Sequence, residues 1–195
     1  VLLQEAQDPD LRQDLLDIVQ SADQAALLLE GMSDFGMGRL MERSASRAPF
    51  SMAAIAQEVA QRPGFGGRVD LEVRQNCEDA LDGANLGRAL CDVVGFLLRV
   101  AEPNEQIQMV LESEENQVVF TVTGPPPGVP EALRHAMIQP FGALVLRAHQ
   151  IPAPSFGLAA AHAYFARNGG GVQVDETAEG GLSIRCSLAL SRSRL

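Results

Sequence analysis

The stretch from Val118 to Leu133 holds the residues whose spacing comes nearest to a chemical site. A run of β-formers, Val118-Val119-Phe120-Thr121-Val122, stops at Gly124-Pro125-Pro126-Pro127-Gly128, and Val129-Pro130-Glu131 opens a helical pattern. A buried strand feeding a tight loop and then a helix is a common place for a nucleotide site. Such a site needs a carboxylate to read the base, or a nest of backbone N–H groups to hold phosphates. Neither is here. Prolines have no N–H to donate, and no Asp or Glu lies between Glu115 and Glu131. The layout is that of a nucleotide-binding module with its chemistry removed.

The remaining reactive side chains do not supply an alternative. His135 follows Arg134 in a short helical stretch, His149 sits in an irregular region, and His162 lies among alanines. None has Asp or Glu beside it, so each reads as a surface or half-buried bystander. No Ser/His/Asp arrangement assembles, no His pair has metal-ligand spacing, and Ser155 beside Phe156 lacks the G-x-S-x-G frame. Cys77, Cys91 and Cys186 are widely spaced without a C-x-x-C, which predicts free thiols in a reducing cytoplasm. Asp34-Phe35-Gly36 matches a protein-kinase tripeptide by chance: it falls at a helix end, and the chain contains no lysine to pair with phosphates.

The elements that would position these residues can be read in order. Asp8-Pro9-Asp10 starts a helix, Asp8 as cap and Pro9 at the first helical position. From Leu11 through Leu15, Ile18, Ala22, Ala25, Leu29 and Met32 the apolar positions step by four and three, a coiled-coil-like seam that ends by Arg43. Residues 44–49 form a linker. Helices are expected over 50–61, 84–100, 131–137 and 156–168, with a short one over 142–149. Strands are expected over 69–73, 106–113, 118–123, 172–175 and 182–190, the second and third as a hairpin. Residues 76–82 read as an acidic loop, and Gly169-Gly170-Gly171 as a helix stop. The fold class is α+β: a long coiled-coil-like N-terminal helix (domain 1–46), then an α/β sandwich (47–195) with a mixed sheet and helices on one face.

Composition narrows the partners. The chain has 195 residues and a formal net charge of −10, which argues against nucleic acid and anionic membranes. No apolar run approaches the roughly 20 residues of a membrane span; the richest, Ala89 to Val100, is broken by Asp92 and Arg99. The chain opens on Val1 rather than Met, so a longer parent protein is expected.

This order of elements resembles a sensor histidine kinase, from the second dimerisation helix through the ATP-binding domain of the Bergerat, or GHKL, type. Leu11 to Leu40 resembles that helix and its exit. Ala84 to Val100 resembles the helix carrying the family's Asn residues, Val122 to Pro130 the first glycine box, and Ile138-Gln139-Pro140-Phe141 the Phe-containing motif. Phe156 to Gly170 resembles the second glycine box and its helix, and Leu182 to Leu190 the closing strand. The resemblance implies ATP and Mg²⁺ as ligands, yet the residues that would hold them differ. Phe96 stands where the family's metal-binding Asn would be and Asp92 at the earlier Asn, leaving Asp92 as a residual metal candidate. Gly124 replaces the Asp that accepts from adenine. Only Gly128 survives in the first box and only Gly157 in the second.

Asp92, Phe96, Gly124, Gly128 and Gly157 are therefore vestigial nucleotide-site positions, with no catalytic residue and no cofactor expected. The resulting expectation is a two-component signalling protein that has lost ATP binding. It would be a scaffold or phosphotransferase docking a response-regulator receiver domain or another kinase, cytoplasmic, and a homodimer through its N-terminal helix. Two alternatives stay open: an active histidine kinase with a divergent pocket, binding ATP and Mg²⁺, and an unrelated α+β ligand-binding module.

Overall fold

Alternation of apolar and polar residues builds the central sheet. The computed structural model describes Leu15, Ile18 and residues 50–79, 83–114, 116–125, 129–151 and 157–190. Its strands are β1 (Phe50–Ser51), β2 (Val69–Val73), β3 (Glu78–Asp79), β4 (Ile107–Glu114), β5 (Gln117–Gly124), β6 (Gly171–Glu176) and β7 (Leu182–Ala189). Its helices are α1 (Met52–Ala60), α2 (Gly83–Val100), α3 (Glu131–Met137), α4 (Gly142–Ala148) and α5 (Gly157–Arg167). The five-stranded sheet runs β2-β4-β5-β7-β6. Only β2 and β4 pair in parallel; the other neighbours are antiparallel.

Register decides what each face presents. Met109 lies opposite Val122, Leu111 opposite Phe120, and Phe120 opposite Cys186. These side chains share one face and are fully buried. The residues between them, Gln108, Glu112, Thr121 and Arg185, take the other face. There Arg74 pairs with Glu112 at 3.4 Å and Arg185 with Glu114 at 2.6 Å. One face is dry and wholly apolar and the other mixed, its polar residues interleaved with the buried Val110 and Val119, because the side-chain period of a strand is two.

The dry face is covered by α1, α2 and α5. In α2, Leu86, Leu90, Val93, Val94 and Leu97 are fully buried, each contributing about 1.5–3 kcal/mol relative to exposure. Leu158, Ala161 and Phe165 of α5 join the same core. Helix α5 stops at Gly169, whose φ of 76° places it in the left-handed region expected of a cap glycine.

Two local readings need correction. The helix expected over 50–61 gives up its first two residues to β1, which pairs with β3 inside the stretch expected to be an acidic loop. The cause is polar. Ser51 Oγ accepts from Ala54 N at 3.3 Å and caps α1, while Asn76 Oδ1 accepts from Ala53 N at 3.0 Å and from Ser51 Oγ at 3.1 Å. These bonds draw 76–79 alongside 50–51, and a two-residue ladder has no periodicity to show in a sequence. The seam from Leu11 to Met32 lies outside the described residues except for Leu15 and Ile18, which are helical.

Candidate functional site

Helix α2, the end of β5 and the start of α5 are the three places that bear on the nucleotide positions. Phe96 lies on the core side of α2. Its ring is 1 % exposed, among the largest fully buried side chains of the described residues. Mg²⁺ takes oxygen ligands; Phe96 has none, and the position faces packed hydrocarbon.

Asp92, one turn earlier, is half-buried. Its neighbourhood is basic rather than open. Arg62, from the loop after α1, donates from Nη1 to Cys91 Sγ at 2.9 Å. The Arg62 guanidinium is held further into its charged range, chiefly by the Cys91 sulfur and more weakly by Asp92. Among the described residues no three His, Cys, Asp or Glu side chains are gathered as a metal site.

Gly124 closes β5, opposite Leu182 of β7. A Cβ at this position would stand 3.1 Å from Leu97 Cδ2 and 3.5 Å from Ile107 Cδ1. A side chain here would need the Leu97 Cδ2 methyl, the end of a fully buried side chain, to give way by a few tenths of an ångström. The approach is close on the other side too. Gly181 is buried, and a side chain there would run into the Gly124 carbonyl oxygen and Pro125. Gly181 is held by its own turn, its N–H donating to Thr177 Oγ1 at 2.9 Å. Gly128 lies outside the described residues, and Gly157 is the first residue of α5.

The structure thus sets Gly124 against Leu97, the residue that follows Phe96 on α2. Asp92 sits a turn away, beside Arg62 and Cys91. The sequence did not single out Leu97 or Gly181. Leu97 was legible only as a core position of α2, and Gly181 only as part of a turn. Their closeness to Gly124 is a product of how α2 and β7 pack on β5.

His135 lies on α3, His149 follows α4, and His162 is on α5. His135 Nε2 is 3.1 Å from Gln139 Nε2 on the same helical turn. His162 is half-buried, and its Nδ1 has no partner. The Cys186 thiol is wholly buried, and that burial pushes its pKa far up, so it stays a neutral core side chain.

No protein-family model and no curated sequence matches the chain. Solved structures do. The mycobacterial sensor histidine kinase MprB superposes with a TM-score of 0.62 at 21 % identity, over 74 % of this chain and 97 % of its own. The Acinetobacter baumannii histidine kinase AdeS gives 0.63 at 14 % identity, over 96 % and 87 %. Full-length ShkA, solved in complex with AMPPNP, gives 0.69 at 19 % identity, over all of this chain and 42 % of its own. With its sheet order, its helical layer and these superpositions, the chain carries the fold of the ATP-binding domain of sensor histidine kinases.

Proposed function

We propose that this chain is a histidine-kinase-like signalling module whose nucleotide site has been filled by its own core. It acts as a scaffold or phosphotransfer partner that docks a response-regulator receiver domain. The observation that carries this reading is the burial of Phe96 in the core together with the packing of Leu97 against Gly124. Full-length ShkA, of which 42 % superposes on this chain, was solved in complex with AMPPNP. Here the metal-ligand position is hydrocarbon, the base-reading position has no carboxylate and packs against Leu97, and the loop after it opens with prolines. A lost acceptor of this kind forfeits about 1.5–3 kcal/mol, and loss of the metal ligand and phosphate nest adds to it.

Assembly follows from the seam. Ile18, on the Leu11 to Met32 stripe, is 64 % exposed, the kind of apolar side chain a second copy of the helix would cover. The working unit in this reading is a cytoplasmic homodimer. Any phosphotransfer would use a histidine that this sequence does not contain in a suitable setting.

Calorimetric titration of the chain with Mg-ATP tests the reading. The expected result is no measurable heat of binding up to about millimolar nucleotide. Saturable binding in the micromolar range would overturn it, and would favour the active-kinase alternative.

A further inference from the structure

Among the described residues, two other than glycine hold a left-handed backbone: Phe141, with φ of 65°, and Gln150, with φ of 60°. They bracket a single element. Phe141 stands immediately before α4, and Gln150 follows its cap, His149. L-residues avoid this region because Cβ crowds the next carbonyl oxygen. Asn, Asp and His enter it more readily than phenylalanine or glutamine. Strain of this kind persists only where the surroundings over-determine it, and here it sits at both ends of one seven-residue helix.

Each end shows what enforces it. After α4, Ile151 N donates to Leu146 O at 2.9 Å and Gln150 N to Arg147 O at 2.8 Å. This pair of bonds is a helix stop that normally has glycine where Gln150 stands. Before α4, Gly142 lies so close to α3 that a Cβ would fall on the Ala136 carbonyl oxygen. Gly142 N donates to Gln139 O at 3.0 Å and Leu144 N to Phe141 O at 3.0 Å, which fixes the corner between the two helices. No side chain caps the first turn of α4.

Little burial stands against that strain. The buried residues of α4 are Gly142, Ala143 and Leu146, of which Leu146 alone has a large side chain. Leu144 at 42 % and Val145 at 45 % exposure add almost nothing. Helix α4 packs chiefly on α3 rather than on the sheet. Helix α3 is itself tied to β6 through Arg134, which pairs with Glu176 and donates to Val129 O at 2.9 Å. A helix of this length does not stand alone in water. One leucine and a strained turn at each end leave the docked arrangement close to balance with a released one.

We propose that α4 is a spring-loaded latch: it releases from α3 with the sheet intact, and the return of Phe141 and Gln150 to ordinary backbone drives the release. Release uncovers Leu146 and joins it to Leu144 and Val145, consecutive apolar residues that the docked helix divides between two sides. Whatever takes up Leu146 binds the released state alone and shifts the balance toward it. The latch draws on none of the nucleotide positions, so hydrogen exchange at α4 and the Mg-ATP titration can fail independently.

The test is native-state hydrogen exchange of the full chain, resolved by residue and repeated in urea below the unfolding transition. The reporters are the amides of Leu144, His149 and Ile151, whose bonds close the two ends of α4. Their protection should be about a hundredfold or more below that of β4 and β5, and independent of urea, as a local opening requires. Paired variants separate backbone relief from side-chain loss. Gln150→Gly and Phe141→Gly should raise protection about threefold to tenfold over Gln150→Ala and Phe141→Ala, which keep a Cβ in the left-handed region. Leu146→Ala should lower it about tenfold or more, while β4 and β5 stay protected. The proposal is overturned if the reporters exchange only together with the sheet, or if glycine gives no more protection than alanine at these positions. Unchanged reporter rates in Leu146→Ala would overturn it as well.

Discussion

Phe96 shows what a single residue decides. On α2 it sits one turn beyond Asp92, a spacing that puts both on neighbouring positions of the helix surface. An amide at this place could reach a ligand only if the place were open; a phenyl ring 1 % exposed makes it part of the core. Phe96→Ala should cost about 3–5 kcal/mol, read as a lowered denaturation midpoint with unchanged slope. Cys186 illustrates the same principle with a titratable group. Burial raises its pKa above the unfolded value, so the folded state keeps its proton where the unfolded chain loses it. Stability from this thiol is whole below about pH 8.5 and declines above it, by about 1.4 kcal/mol per pH unit. Denaturation followed from about pH 8 to 10 should show that slope, and Cys186→Ala should remove this component of it.

Among the elements, the α3–α4 corner depends most on one position. Helices α3 and α4 have seven residues each, too short to be stable alone, so their packing rests on the turn that joins them. Gly142 lets the start of α4 pass the Ala136 carbonyl. Gly142→Ala has nowhere to put its methyl group without moving backbone. It should destabilise by about 2 kcal/mol or more and release amide protection in α3 and α4 before it does so in the sheet. Hydrogen exchange resolved by residue checks that order. Equal loss of protection across β4, β5 and β7 would contradict a local role.

At the scale of the molecule, the sheet and its helical layer rest on a continuous apolar core. The dry face is complete: β4, β5 and β7 bury every core-facing side chain from Ile107 to Leu111, Val118 to Val122 and Leu182 to Leu188. A core this continuous explains how the fold tolerates Phe96 and Gly124, since stability comes from area buried rather than from the site. Assembly is the outstanding property of the whole. If the seam joins two chains, sedimentation of the wild type should show a dimer. Ile18→Glu, which places a charge on the stripe, should shift the population to monomer by about tenfold or more in dissociation constant. A monomeric wild type would remove the dimer from the proposal.

The amino-acid order alone determined the element sequence and the sheet class, because strands and helices announce themselves through periods of two and about 3.6. It also showed the absent carboxylate at Gly124, the prolines after it and the phenylalanine at 96, because those are identities. It could not show that Leu97 occupies the space beside Gly124, that Gly181 closes on the same strand end, or that β1 finds β3. Those are contacts between residues distant in the chain, fixed only when α2 and β7 settle on β5. Nor could it show that Phe141, Leu144 and Val145 face outward while Ala143 and Leu146 face in. A short apolar run looks the same on either side of a helix until tertiary packing chooses which side is dry.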